Sequence, residues 1–233
     1  MTTPVTRGKA RPEALADRVY QALKNDIFEF RLMPGDRFSE NAIAERLAVS
    51  RTPVRQALFR LEHEGYVEVW FRSGWQVRPF DFAWFDELYD LRTVLECEAL
   101  RRLCALPAAR CASLLRDQQQ FWCEQPPLSD GKSVSLLDEA FHQALVVAAG
   151  NQQMALVHAE LTEKIRIIRR LDFTRDDRIA ATYHEHALIL SAIFRQQSEE
   201  AQQILTDHIA VSRAEVRNIT LHRLQQARFQ TTD

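Results

Sequence analysis

Four side chains in the C-terminal half, Asp138, His142, His186 and His208, are of types that bind transition metals, and helical spacing brings them together. Asp138 and His142 stand four apart, so a helix carries both on one face within reach of a common point. His186 and His208 fall on consecutive expected helices joined by Arg195-Gln196-Gln197-Ser198, with position 197 midway between them. In an antiparallel hairpin each then stands about 16 Å from the turn, at roughly 1.5 Å per residue, and the two meet at one level. One carboxylate oxygen and three imidazole nitrogens suit zinc, nickel, iron or manganese rather than calcium or magnesium. Such an ion holds a ligand or activates water for hydrolysis. No separate general base or nucleophile signature accompanies the four residues, which favours holding a ligand. His184, His158 and His222 have no matching partner and are assigned no role.

A second chemistry lies upstream, in Ser50-Arg51-Thr52-Pro53-Val54-Arg55-Gln56. Ser50 is a natural N-cap, and Pro53 falls in the first turn, where amides lack intrahelical partners. A helix N-terminus presents free amides and partial positive charge, so Arg51, Thr52 and Arg55 can grip phosphates there. Arginine also forms bidentate contacts with guanine in the major groove.

The elements that must position these groups follow from periodicity. Leu15, Val19, Leu23 and Ile27 step by four after Pro12, giving a helix that ends before Pro34-Gly35. Ser39 caps a short second helix with Ile43, Ala44 and Leu47 inward, and a tight break at Ala48-Val49 precedes the third. On that helix Val54, Ala57, Leu58 and Leu61 form the buried stripe, so Thr52, Arg55 and Gln56 face outward, and Gly65 ends it. Val67, Val69 and Phe71 then alternate, Ser73-Gly74 offers a turn, and Trp75 and Val77 resume, which predicts a two-stranded hairpin. Three helices and a hairpin are the order of a winged helix-turn-helix.

Beyond Pro79 the chain reads as all-helical: one helix over about 82–106 burying Phe85, Leu88, Leu91, Leu95 and Ala99, another from Pro107 to Glu124, then about 136–149, 152–170, 178–194 and 199 onward. The expected fold is therefore mainly α, with a winged helix-turn-helix over residues 12–79 and an all-helical bundle over 80–228. The net charge of −2 hides a modest asymmetry. Residues 1–80 carry 13 Lys and Arg against 10 Asp and Glu, and residues 81–233 carry 17 against 22. Cys97, Cys104, Cys111 and Cys123 form no CxxC pair and read as small buried residues rather than a metal or redox site. No apolar run approaches the roughly 20 residues that span a bilayer, and the N-terminus has no apolar signal core, so a cytoplasmic protein with no membrane partner is expected.

The stretch from Leu47 to Leu58, followed by Leu61-Glu62 and Glu64-Gly65, closely resembles the DNA-binding domain of the GntR family of bacterial transcription regulators. The resemblance implies that Arg51, Thr52 and Arg55 contact double-stranded DNA and that Gly74 lies at the wing tip near the minor groove. The family usually carries Glu where Gln56 stands. Asn41 occupies a place where some relatives use a basic residue for backbone contact; an Asn there hydrogen-bonds a phosphate without releasing a counterion.

Further on, Leu137-Asp138-x-x-Phe141-His142, Ala149-Gly150-Asn151, Glu185-His186-x-x-Ile189-Leu190-x-Ala192-Ile193 and Ala201 with His208 resemble the FCD effector domain of the FadR-type subfamily. By that resemblance Asp138, His142, His186 and His208 hold a divalent metal, zinc first, with nickel, manganese or iron as alternatives, whose open positions face a small carboxylate effector. Arg92 matches a recurrent arginine of the first effector-domain helix and either helps hold the carboxylate or pairs with Glu96 at i,i+4. The expectation is a homodimeric, non-enzymatic regulator on a near-palindromic operator whose DNA affinity answers to the effector. Sensing of the metal ion itself, or metal-dependent catalysis, are the alternatives.

Overall fold

Ten α-helices and three short strands make up the computed structural model, which describes residues 12–71, 74–173 and 176–217. The chain divides between Phe80 and Asp81 into two units, taken here separately. The first comprises α1 (Pro12–Phe28), β1 (Arg37–Ser39), α2 (Glu40–Arg46), α3 (Arg51–His63), β2 (Val67–Trp70) and β3 (Gly74–Val77). Val19, Leu23 and Ile27 of α1, Ile43 and Ala44 of α2, and Val54, Ala57, Leu58 and Leu61 of α3 are buried together with Val67, Trp75 and Val77. The apolar stripes of three helices thus close on one face of the sheet, which is what fixes α3 with Arg51, Thr52, Arg55 and Gln56 outward.

The sheet has three strands in the order β1-β3-β2, both pairs antiparallel, rather than the two expected. Three residues with an exposed–half-buried–exposed pattern, Arg37 to Ser39, are too few to register as alternation. Ser39 caps α2 by accepting from the Ala42 amide, as expected. Ser50 occupies the cap position of α3 without making the capping bond.

Helices α2 and α3 end alike. The Val49 amide reaches Ala44 O while that of Ala48 reaches Glu45 O, and Tyr66 and Gly65 repeat the pattern on Leu61 and Glu62. Both are Schellman ends, which need a left-handed residue. Gly65 meets that need at no steric cost with φ +86, whereas Ala48 meets it at φ 51 against its own Cβ.

The second unit contains α4 (Phe82–Cys104), α5 (Ala108–Leu114), α6 (Arg116–Gln119), a π-helical turn (Gln120–Glu124), α7 (Gly131–Ala148), α8 (Gln152–Asp172), α9 (Asp176–Phe194) and α10 (Ser198–Arg217). The single helix expected from Pro107 to Glu124 is broken at Leu115 and ends in the π turn. Helix α7 starts at Gly131, ahead of the expected Leu136, because Asp130 caps it by accepting from the Lys132 and Ser133 amides. Helix α4 packs against α7, α8, α9 and α10. Its buried face is rotated from the expected one: Leu91 is 42 % exposed, while Arg92 and Glu96 are buried beside Tyr89 and Ala99. An apolar reading assigns charged residues to water, and here the partners of Arg92 and Glu96 lie inside.

Cys104 and Cys111 are buried, Cys97 is half-buried beside Thr206, Cys123 is exposed, and all four are free thiols. No helix among the described residues is long and apolar enough to cross a membrane.

Candidate functional site

In the first unit, Arg51, Thr52, Arg55 and Gln56 are exposed together at the N-terminal end of α3, and Asn41 is exposed in the first turn of α2. Glu40, which the sequence reading passed over, links the two helices. Arg55 donates to it from Nε at 3.0 Å and from Nη2 at 2.9 Å, and Arg51 Nη2 lies 3.6 Å away. These hydrogen bonds, opposed by partial burial, hold the Glu40 carboxyl below its ordinary value, so it stays anionic and paired with Arg55. Gly74 opens β3 opposite Ser39 and Trp70, while the Ser73 half of the expected turn lies outside the described residues. A Cβ at Gly74 would make only ordinary contacts, the nearest at 3.6 Å, so packing does not explain the glycine.

In the second unit, α7 brings Asp138 and His142, α9 His186 and α10 His208 to one buried point. Their ligand atoms all lie within 4.8 Å of one another. Asp138 Oδ1 is 3.2 Å from His186 Nε2, 3.5 Å from His142 Nε2 and 3.9 Å from His208 Nε2. The α9–α10 hairpin does place its two histidines at one level, with ring centres 5.0 Å apart.

Buried carboxylates set the tautomers. His142 Nδ1 lies 2.6 Å from Glu96 Oε2, and His208 Nδ1 lies 2.5 Å from Glu185 Oε2. Burial favours the neutral acid in Glu96, but the charge of Arg92 and the hydrogen bond from His142 outweigh it and hold the carboxyl well below its usual range. Glu185 is lowered too, its half-burial overcome by His208 and Arg178. Anionic oxygens accept, so both Nδ1 atoms carry a proton, and neutral His208 keeps a lone pair on Nε2. The two Nε2 atoms face each other at 3.1 Å. His186 is fixed by its neighbours, stacked on Phe141 at 3.8 Å with Trp122 edge-on at 4.3 Å, and neither of its nitrogens has a hydrogen-bond partner.

Asp138 is also ionised. Burial would raise its carboxyl, but Arg169, whose Nη2 donates to Oδ2, overrides that and holds it well below the usual range; Oδ1 has no hydrogen-bond partner. Four groups able to donate electron pairs converge, and among them Asp138 Oδ1 and both His186 nitrogens lack a hydrogen-bond partner. That arrangement is costly when buried and is satisfied by a cation. The donors are those of zinc and its neighbours, and two atoms bound to one such ion stand roughly 3–4 Å apart, as these do. Burial lowers His186 well below its ordinary value and lowers His208 to about 4, so both are neutral at neutral pH.

Several members of this network were not read from the sequence. His158 Nε2 lies 2.9 Å from Glu96 Oε1, which gives it a buried partner after all. Arg92 pairs with Glu96 at 2.7 Å, one of its two expected alternatives, and its Nη2 keeps no partner. Arg178 donates to Glu185 at 2.8 Å, and its Nη2 lies 3.3 Å from His208 Nδ1. On α8, His158, Thr162 and Arg169 recur at helical spacing as a buried polar stripe, a pattern visible in the sequence. His184 is exposed on α9, and His222 lies outside the described residues.

Comparison with known proteins places both units. Residues 15–77 match the bacterial regulatory proteins of the gntR family, and residues 87–211 match the FCD domain. The chain is 31 % identical over 180 residues to the Nta operon transcriptional regulator of Aminobacter aminovorans, covering 77 % of this chain and 84 % of that protein. It is 26 % identical over 205 residues to the HTH-type transcriptional repressor RspR of Escherichia coli, covering 87 % and 89 %. Among solved structures, a putative GntR transcriptional regulator from Rhodococcus sp. RHA1 superposes with a TM-score of 0.65 at 23 % identity, covering 89 % of this chain and 99 % of that one, which bears on the fold alone. The chain belongs to the GntR family, carries an FCD domain behind a winged helix-turn-helix, and is a DNA-binding transcriptional regulator rather than an enzyme.

Proposed function

We propose that this regulator changes its affinity for DNA when a small carboxylate binds beside a divalent metal held by Asp138, His142, His186 and His208, with zinc the first candidate and nickel, manganese or iron the others. One observation carries the reading: two histidine Nε2 atoms 3.1 Å apart beside an ionised, unpartnered Asp138 Oδ1, all buried. The bound ion supplies a Lewis-acid centre for a carboxylate oxygen. Glu96 and Glu185 hold the imidazole tautomers, Phe141 and Trp122 fix the His186 ring, and Arg92 contributes positive charge to the effector's surroundings.

At the other end of the chain, Arg51, Thr52, Arg55 and Gln56 reach base edges and phosphates from the α3 terminus. Asn41 hydrogen-bonds the backbone, and Gly74 lies at the wing beside the minor groove. Two copies on a near-palindromic operator complete the arrangement, with residues 12–79 as reader and 80–228 as sensor. The carboxylate changes operator affinity by linkage between the two.

Thermal unfolding of metal-loaded and chelator-stripped protein against a panel of small carboxylates tests the sensor. A ligand that binds only the native state raises the midpoint, so one acid should stabilise the loaded protein and leave the stripped protein unmoved. A large shift from metal alone, with no acid adding to it, would replace carboxylate sensing by metal sensing.

A further inference from the structure

We infer that Arg37, held against the face of Trp70, is a further DNA contact of this regulator and takes a backbone phosphate beside the wing; this rests on the reading of α3 above. Trp70 is 39 % exposed and stands between exposed Val69 and Phe71, three consecutive apolar residues in water at the end of β2. Single exposed apolar residues need no explanation, whereas a contiguous run marks a surface in use.

The strand register shows what Trp70 does there. Trp70 pairs with Gly74, Gly74 with Ser39, and Arg37 with Gln76, so Arg37 and Trp70 share the face of the sheet opposite buried Trp75 and Val77. Gly74 puts no side chain between them, and the Arg37 guanidinium carbon lies 3.7 Å from the centre of the Trp70 ring. A guanidinium seated on an indole face keeps its N–H edge free to donate.

Charge balance separates Arg37 from its neighbours. Arg31, Arg46, Arg51, Arg55, Arg60 and Arg78 each lie beside a carboxylate. Among the described residues Arg37 has an indole in that place and is exposed, so its charge is left for an anion outside the protein. Its place is next to the proposed reading end. Ser39, opposite Gly74, caps α2, and the following Glu40 pairs with Arg55 and Arg51 of α3. An exposed arginine gives up rotamer freedom when it binds, one already stacked gives up less, and its fork matches the oxygens of a phosphate. Trp70 is then a positioning residue that acts through Arg37.

Fluorescence anisotropy of full-length Arg37→Ala, Trp70→Ala, the double variant and Arg55→Ala, on a duplex the protein selects and on random duplex, from about 50 to about 200 mM salt, tests the assignment. Arg37→Ala should weaken both duplexes alike and lower the slope of log affinity against log salt by about 1. Trp70→Ala should weaken binding about 2- to 5-fold, and the double variant should bind as Arg37→Ala does to within about two-fold. An unchanged slope in Arg37→Ala would overturn the phosphate contact, and additive losses in the double variant would overturn the positioning by Trp70. If Trp70→Ala lowers the unfolding midpoint, Trp70→Phe, which keeps an aromatic face, takes its place. Arg55→Ala reports on the underlying reading: selected-site affinity unmoved there would remove the α3 face, whereas a loss there beside an unchanged Arg37→Ala slope would remove the Arg37 contact alone.

Discussion

His142 commits Nδ1 to the buried Glu96 and His208 commits Nδ1 to the half-buried Glu185, and in the proposed metal site this commitment leaves Nε2 to face the ion. Carboxylate partners of metal-binding histidines typically contribute about 10–100-fold in metal affinity. Glu96→Gln and Glu185→Gln should each weaken zinc binding by about that factor in a chelator competition, and a change under two-fold would remove them from the site. Proton competition follows from burial. His208 titrates at about 4 in the folded chain against an ordinary 6.5, so folding disfavours its protonated form. The associated stability is present above pH 6.5 and is lost as pH falls towards 4, a loss of roughly 3 kcal/mol for a shift of this size. His186 is lowered in the same direction. Urea unfolding of chelator-stripped protein at pH 7, 5.5 and 4.5 should show the decline, and a flat profile would contradict the neutral ligand set. The four residues were legible because helix periodicity relates Asp138 to His142 and equal distance from one turn relates His186 to His208. The cross-helix partners of Glu96, Arg169 and His158 were not, because they lie 31 to 62 residues away and apolar patterning sends isolated charges to the surface.

Among the elements, α3 and its flanks were read closely, since a strong stripe and Gly65 leave little freedom. The third strand escaped notice because its pairing with β3 is supplied by tertiary contact and not by its own pattern. The face of α4 was misjudged for a related reason: Leu91 looks like core until Arg92 and Glu96 find buried partners. Ala48 shows where local chemistry yields to the fold. A left-handed alanine costs about 1–2 kcal/mol, of which glycine's extra freedom in the unfolded chain returns a part. Ala48→Gly should therefore raise unfolding free energy by up to about 1 kcal/mol in urea titrations, and a loss of stability would contradict the strain argument. Glu40 bears on function more directly. Its carboxylate pairs with Arg55 at the α3 N-terminus and, on the proposed DNA-reading face, sets one negative charge beside it. Glu40→Gln should tighten binding to random DNA and weaken binding to a selected site by about 10-fold, on the scale of one lost bidentate base contact. Equal changes on both DNAs would make Glu40 a mere counter-charge.

At the scale of the whole chain, residues 1–80, with 13 basic against 10 acidic side chains, precede a second unit that buries charge. The family is shown by both units, and the proposed step is the coupling between them. The most direct test is fluorescence anisotropy of a duplex that the protein itself selects from random sequence, titrated with zinc-loaded and stripped protein, with and without the acid that most raises the unfolding midpoint. Coupling predicts a change of about five-fold or more in affinity with the acid, abolished when zinc is removed. An affinity constant to within about two-fold while the acid demonstrably occupies the loaded protein would contradict it.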